Sequence, residues 1–499
     1  MANKLEWKKL LSNKRLKSIN NPSGTSDNGT QKYGIRNDFE SDFGRVIYSP
    51  AIRRMHDKTQ VFPLSEDDNI HTRLTHSQEV MSIGYTFAIK LINEIYNDEN
   101  KNITEEEFNF LSNENECLRA TLLRTIPMIL QSVCLFHDIG NTPFGHFGED
   151  TISNYFKELL EGDKEKQLEL KRFKIGKSQE LDFTQYDGNA QGLRVLTKLQ
   201  ILDNVYGLNL TSAVLGTYIK YPNTASKEKD GGIIGNKKHG VFFSEYRYFQ
   251  QIMENCGLND DDKYFRHPLC FLMEAADTIA YRTMDVEDGF NKGLYKLEHI
   301  LQTVKRDNDN VDLLKRINEI ESETSSEKTK MVRLRILLID YLVTKAFDIF
   351  KENYNSIMNG QYQKELLDDD ILNIEDKLGN ICKNKIYDSD EVNSLEVTGY
   401  SVIKGLLDFY IAAIIDKKNG LERKAYNLIS KSIINTAILE KVTSVSSSIN
   451  DKIDISKFNF EDFQSLDHYY KLRIIVDYIS GMTDKYALMH YQKISGQRI

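Results

Sequence analysis

Only seven prolines interrupt the 499 residues of this chain, and that scarcity constrains its fold more than any other feature. Proline ends helices because it lacks an N–H and collides with the preceding turn. With so few breaks, and with Leu, Ile, Lys, Glu and Asn abundant, the sequence favours long helices. The expected class is all-α, with at most a small β-hairpin. The glycines and GVFFSE of Gly232 to Glu245 predict that hairpin.

Polar stretches at Glu161 to Lys177, Asn223 to Gly240, Asn308 to Lys330 and Ser444 to Lys457 read as loops between helices. Asn21 to Gly34, rich in Asn, Ser, Gly and Thr, separates a short N-terminal helix from the main body. Leu294 to Leu439 is amphipathic and helical in pattern but carries no recognisable chemistry, which suits packing or assembly.

A net charge of −9 argues against coating nucleic acid through bulk electrostatics, though not against a local basic pocket. The five cysteines form no C-x-x-C pair, so neither a disulfide framework nor a thiolate zinc site is expected, and a reducing cytoplasm fits. The basic N-terminus lacks the apolar stretch of a secretory signal, and no run of about eighteen apolar residues predicts a membrane span.

Three helices carry candidate ligands. In RLTHSQEVMSIGYTFAIKL, Val80, Ile83, Phe87 and Leu91 have helical spacing and Thr75 to Gln78 matches a capping box, which puts His76 at a helix start. A lone histidine there caps or faces solvent more often than it binds. Leu122, Ile126, Ile129, Val133 and Phe136 form one stripe that delivers His137 and Asp138 to the end of a buried helix. Burying an aspartate demands a partner, either a metal ion or an arginine. In HPLCFLMEAADTIAYRTMDVEDGF, Glu274, Asp277, Tyr281, Asp285 and Asp288 recur at steps of three or four along one face. Such a face is either a solvated acid run or the lining of a cation or sugar site.

THSQEV, CLFHDIGNTPFGHFGED and EAADTIAY together give the H…HD…D order of the HD-domain phosphohydrolases. With SPAIRRMHDKTQVFPL, NAQGLRVLTKL, GLNLTSAVLGTYIKYP and DYISGMTDKYAL, the chain resembles the bacterial dGTPase family from about Ser49 to Leu488. The resemblance implies an HD-domain helical bundle core over residues 35–295. It also implies an N-terminal helix and loop over 1–34, and a helical region over 296–499 that packs on the core and contributes to assembly and the nucleotide site.

Carried over position by position, His76, His137, Asp138 and Asp277 are the implied metal ligands, and His146 with Glu149 the implied catalytic pair. Two imidazoles and two carboxylates suit one divalent transition ion, with Mn²⁺ first, then Fe²⁺, Co²⁺, Ni²⁺ or Zn²⁺, better than Mg²⁺. Arg73 and Lys220 are the implied phosphate contacts, with Arg53 a further candidate. Gln60, Tyr281 and Asp285 fall on the sugar side, Asn189 near the active site or base, and Arg473 toward the nucleotide from the far end of the chain. Asp277 is followed by Thr278 where the family often has a second aspartate, which puts any role of that carboxylate in doubt.

The implied reaction converts dGTP, or several dNTPs, to deoxynucleoside and tripolyphosphate through water attack at the α-phosphorus. His146 would either protonate the departing 5′-oxygen or position the water. Homo-oligomers, hexamers among them, and a dNTP effector are also implied. Competing expectations are another HD-domain nucleotidase or phosphodiesterase, or an HD protein that senses nucleotides or binds single-stranded DNA.

Overall fold

The computed structural model describes residues 4–16, 36–62, 64, 70–97, 118–161, 173, 175–200, 206–224, 232–261, 263–370, 372–445 and 453–497. Among these the chain is all-α apart from one antiparallel hairpin of two-residue strands, Asn259–Asp260 and Lys263–Tyr264. The hairpin is not where the sequence predicts it. Gly232 to Glu245 instead forms two short 3₁₀ turns and runs beside residues 221–224, with Gly240 N donating to Asn223 O and a single parallel bridge joining Thr224 to Val241. Its neighbour is thus an upstream segment, and it never folds back on itself.

Among the described residues, nine helices position the site: α1 (Arg73–Asn97), α2 (Leu118–Phe136), α3 (Gly145–Glu161), α4 (Gly188–Arg194), α5 (Pro268–Asn291), α6 (Glu327–Glu352), α7 (Asp390–Ile414), α8 (His468–Ser480) and α9 (Asp484–Ile494). α1 lies along α2, and α5 packs across both and against α6. The α2 stripe Leu122, Ile126, Ile129, Val133 and Phe136 is fully buried. At about 1.5–3 kcal/mol per buried side chain, it outweighs the roughly 3 kcal/mol that Pro127 costs inside the helix.

Two apolar clusters result. The larger joins the N-terminal helix Trp7–Leu10, α1, α2, α5 and α6, and reaches Val392. The smaller gathers α7, α8 and α9 around Phe144, Ile152, Phe156 and Phe183. α7 has the length and hydropathy of a membrane span, yet Val402, Ile403, Leu406, Leu407, Tyr410 and Ile414 bury its apolar face here, as in a core helix.

Two local expectations need correction. α1 starts at Arg73: Thr72 Oγ1 accepts from Thr75 N at 3.3 Å while Thr75 Oγ1 accepts from Thr72 N at 2.9 Å. The capping pair is therefore Thr72 with Thr75, while His76 does sit in the first turn of the helix. Asn308 to Lys330 is no loop, because Leu313, Ile317 and Ile320 share the buried face of a helix over Val311–Ser322. Its charged residues mask that spacing. The predicted loop at Asn21 to Gly34 lies outside the described residues.

Candidate metal and phosphate site

α1, the end of α2 and the middle of α5 bring His76, His137 and Asp277 together, with one donor atom from each lying within 4.8 Å of the others. Asp277 Oδ1 is 3.0 Å from His76 Nε2 and 3.2 Å from His137 Nε2. His137 Nδ1 donates to Cys134 O at 2.8 Å, a bond internal to α2 that leaves the Nε2 lone pair facing the cluster. That Nε2 is buried and has no hydrogen-bond partner. Burial pushes the His137 imidazole down, but the carboxylates of Asp277 and Asp138 outweigh it and hold it up at about 9.

This donor set fits a divalent ion. By contrast His267, also buried, is satisfied at both nitrogens: Nδ1 accepts from Leu269 N as the cap of α5, and Nε2 donates to Leu10 O. Burial accordingly pushes it down to about 4. Asp138 stands beside the trio, its Oδ1 3.6 Å from His137 Nε2 and its Oδ2 held by Arg73. Of the two partners foreseen for this aspartate, the arginine is in contact with it, and the His/Asp cluster lies alongside.

The turn after Asp138 is set by backbone contact. A Cβ on Gly140 would lie 2.1 Å from Gly188 O and Gly192 N, so only glycine lets this turn meet α4. Phe144 then adopts φ 62°, a left-handed conformation that costs a non-glycine residue about 1–3 kcal/mol. His146 emerges in the first turn of α3, its side chain 76% exposed, with Nδ1 3.5 Å from Oε2 of the buried Glu149. Hydrogen bonding and charge from Glu149 raise the His146 pKa against a smaller effect of burial. Glu149 is held low, since His146 outweighs its desolvation, with Lys238 and Gly188 N helping.

Lys238 was missed in the sequence. Its cationic field acts on His146, Glu149 and Asp187, and its loop is stitched to the strand-like segment that follows Lys220. The only local signal is a KKHG run inside a segment that reads as loop or hairpin.

Lys220 lies 3.3 Å from Glu274 Oε1 and 3.9 Å from Asp277 Oδ2, and Arg266 closes on the other oxygen of Glu274. The acidic face of α5 is therefore no solvated run. Asp288 accepts from His71 Nδ1 at 2.9 Å and Asp285 from the Tyr387 hydroxyl at 2.7 Å, while the Arg282 guanidinium covers the Tyr281 ring.

The remaining candidates scatter. Arg53 is exposed at the end of the helix Pro50–Arg54, and the half-buried Gln60 has a buried Oε1 without a hydrogen-bond partner. Asn189 turns to Asp187, the cap of α4, giving it both backbone and side-chain N–H bonds. Arg473 is fully buried against Gln191, Asp477, Phe183 and Phe242, and none of these contacts belongs to the His/Asp cluster.

The chain is 31% identical to a deoxyguanosinetriphosphate triphosphohydrolase-like protein of Listeria monocytogenes, over 99% of this chain and all of that protein. It belongs to the deoxyguanosinetriphosphate triphosphohydrolase family of HD-domain phosphohydrolases. Other members of the family similar to it are the deoxyguanosinetriphosphate triphosphohydrolases of Yersinia pestis, 30% identical, and Yersinia pseudotuberculosis, 29% identical, each over 96% of this chain and 97% of the relative. Residues 456–493 match the phosphohydrolase-associated domain. In this family member that segment spans α8 and nearly all of α9, and it contains Arg473, Asp477 and Asp484.

Proposed function

We propose that the chain hydrolyses dGTP, and other dNTPs by the same route, to deoxynucleoside and tripolyphosphate, using one divalent metal ion, Mn²⁺ first. The observation that carries this reading is the meeting of His76, His137 and Asp277 beside the His146–Glu149 pair in a chain of this family. His76, His137, Asp138 and Asp277 would hold the ion, which when bound supplies Lewis acidity toward the α-phosphate and toward water.

The chain's own residues do the rest. Arg73 and Lys220 at the cluster and Lys238 toward the His146–Glu149 pair gather positive charge in a protein that is acidic as a whole, so a polyphosphate is drawn to this place. The departing 5′-oxygen is a poor leaving group, and His146, whose protonated form Glu149 favours, hands it a proton. Tyr281 and Asp285 face the deoxyribose, where a packed ring excludes a 2′-hydroxyl. Residues 35–295 form the catalytic core of this reading, and 296–499 supply packing and a homo-oligomeric surface.

Incubation with dGTP and Mn²⁺, followed by separation of products, tests the proposal. Deoxyguanosine with intact tripolyphosphate is expected. Pyrophosphate or monophosphate as the first product would overturn it.

A further inference from the structure

The catalytic turn is held from a part of the chain more than three hundred residues away. Asp484 opens α9, yet its carboxylate turns away from its own helix and is almost fully buried. One oxygen, Oδ1, accepts from Phe144 N at 3.0 Å, and the other, Oδ2, accepts from Thr59 N at 3.0 Å and from Thr59 Oγ1 at 2.7 Å. Every one of these donors lies in a segment that leads to the site.

Phe144 is a non-glycine residue in the left-handed conformation, two positions before His146. Such a backbone state persists only where surrounding contacts fix it. Asp484 supplies one, and the Phe144 ring seated directly over Gly399 of α7 supplies another. Thr59, the second partner, pairs with Thr72, and Lys58 O accepts from Arg73 N, so the same carboxylate also reaches the start of α1. Lys58 reinforces the link, its buried Nζ donating to Asn141 O in the turn and to Ser480 O at the end of α8.

From these contacts we infer that Asp484 is a positioning residue for the reaction. It locks the turn over residues 141–146 in its left-handed form and thereby aims His146 at the leaving group, which gives the phosphohydrolase-associated segment a direct part in turnover. This rests on the role assigned to His146 above.

The test compares Asp484→Ala and Asp484→Asn with wild type in the full-length, metal-loaded protein. Asp484→Ala removes an acceptor of charge-assisted hydrogen bonds, so kcat should fall about tenfold to a hundredfold while KM and bound metal hold within about twofold. Asp484→Asn keeps one oxygen for Phe144 N but turns its amide NH2 toward Thr59 N, so it should recover part of kcat and stay above the alanine variant. Wild-type kcat in Asp484→Ala, or loss of metal in step with activity, would overturn the inference, as would an Asp484→Asn variant as impaired as the alanine. If the alanine variant fails to fold, amide hydrogen exchange on the wild type decides. Strong protection of the Phe144 amide is expected, and free exchange in the folded protein would sink the idea. Full activity in His146→Ala would instead refute the role of His146, so the two failures are told apart.

Discussion

Glu149 lies buried beneath an exposed His146, its Oε2 3.5 Å from the imidazole Nδ1. A carboxylate so placed stabilises the imidazolium and raises its pKa. If the protonated form is the one that acts, kcat is full below that raised pKa and falls as pH climbs through it. Glu149→Gln keeps the shape and removes the charge, so the alkaline limb of the kcat profile should move to lower pH. An unshifted limb would disconnect His146 from the pH dependence.

Asp277 is the shared hub of the cluster, since both imidazoles address its Oδ1. Asp277→Ala should take bound metal from about one ion per chain to near none. Turnover should drop by several kcal/mol of barrier, roughly a thousandfold or more. Elemental analysis beside a turnover assay checks this. A variant that retained stoichiometric metal would show that the ion sits elsewhere.

What the sequence could reveal divides along the range of the interactions involved. The α2 stripe, the approach of α5 behind His267 and Pro268, and the glycines of HDIG and DGNAQG are local patterns, and their consequences for the backbone are local too. Asp484 gripping Phe144 and Thr59, or Tyr387 meeting Asp285, joins positions with no common periodicity, so no spacing announces them. Lys238 stays hidden for a related reason: its segment reads as a small hairpin of its own, whereas its neighbour is residues 221–224. Arg473 reads from a motif-rich stretch as a nucleotide contact, whereas its Nη2 donates to Asp477 one turn on and to Gln191, a long-range partner that no spacing announces.

Lys220 lies by the cluster and Lys238 acts on the His146–Glu149 pair, so a polyphosphate spanning the two would meet both cations. Each charge-assisted hydrogen bond is worth about 1.5–3 kcal/mol. Lys238→Ala should therefore raise KM for dGTP roughly tenfold to a hundredfold, with bound metal unchanged. Steady-state kinetics at fixed Mn²⁺ measures it. A KM equal to that of the wild type would remove Lys238 from the phosphate site.

Asp285 provides a stability test independent of catalysis. Burial drives its carboxyl up to about 7, and the hydrogen bond from Tyr387 only partly opposes this. A carboxyl whose folded pKa lies above its unfolded value favours folding while it stays protonated, and that contribution fades as pH rises from about 4 through about 7. Asp285→Asn keeps an oxygen for the Tyr387 hydroxyl and cannot ionise. The variant should therefore gain on the wild type as pH rises from about 5 to about 8, with its melting temperature improving relative to wild type by one to a few degrees. Melting curves across that window decide the matter: a constant difference between the two proteins would mean that Asp285 ionises in the folded state as easily as it does in water.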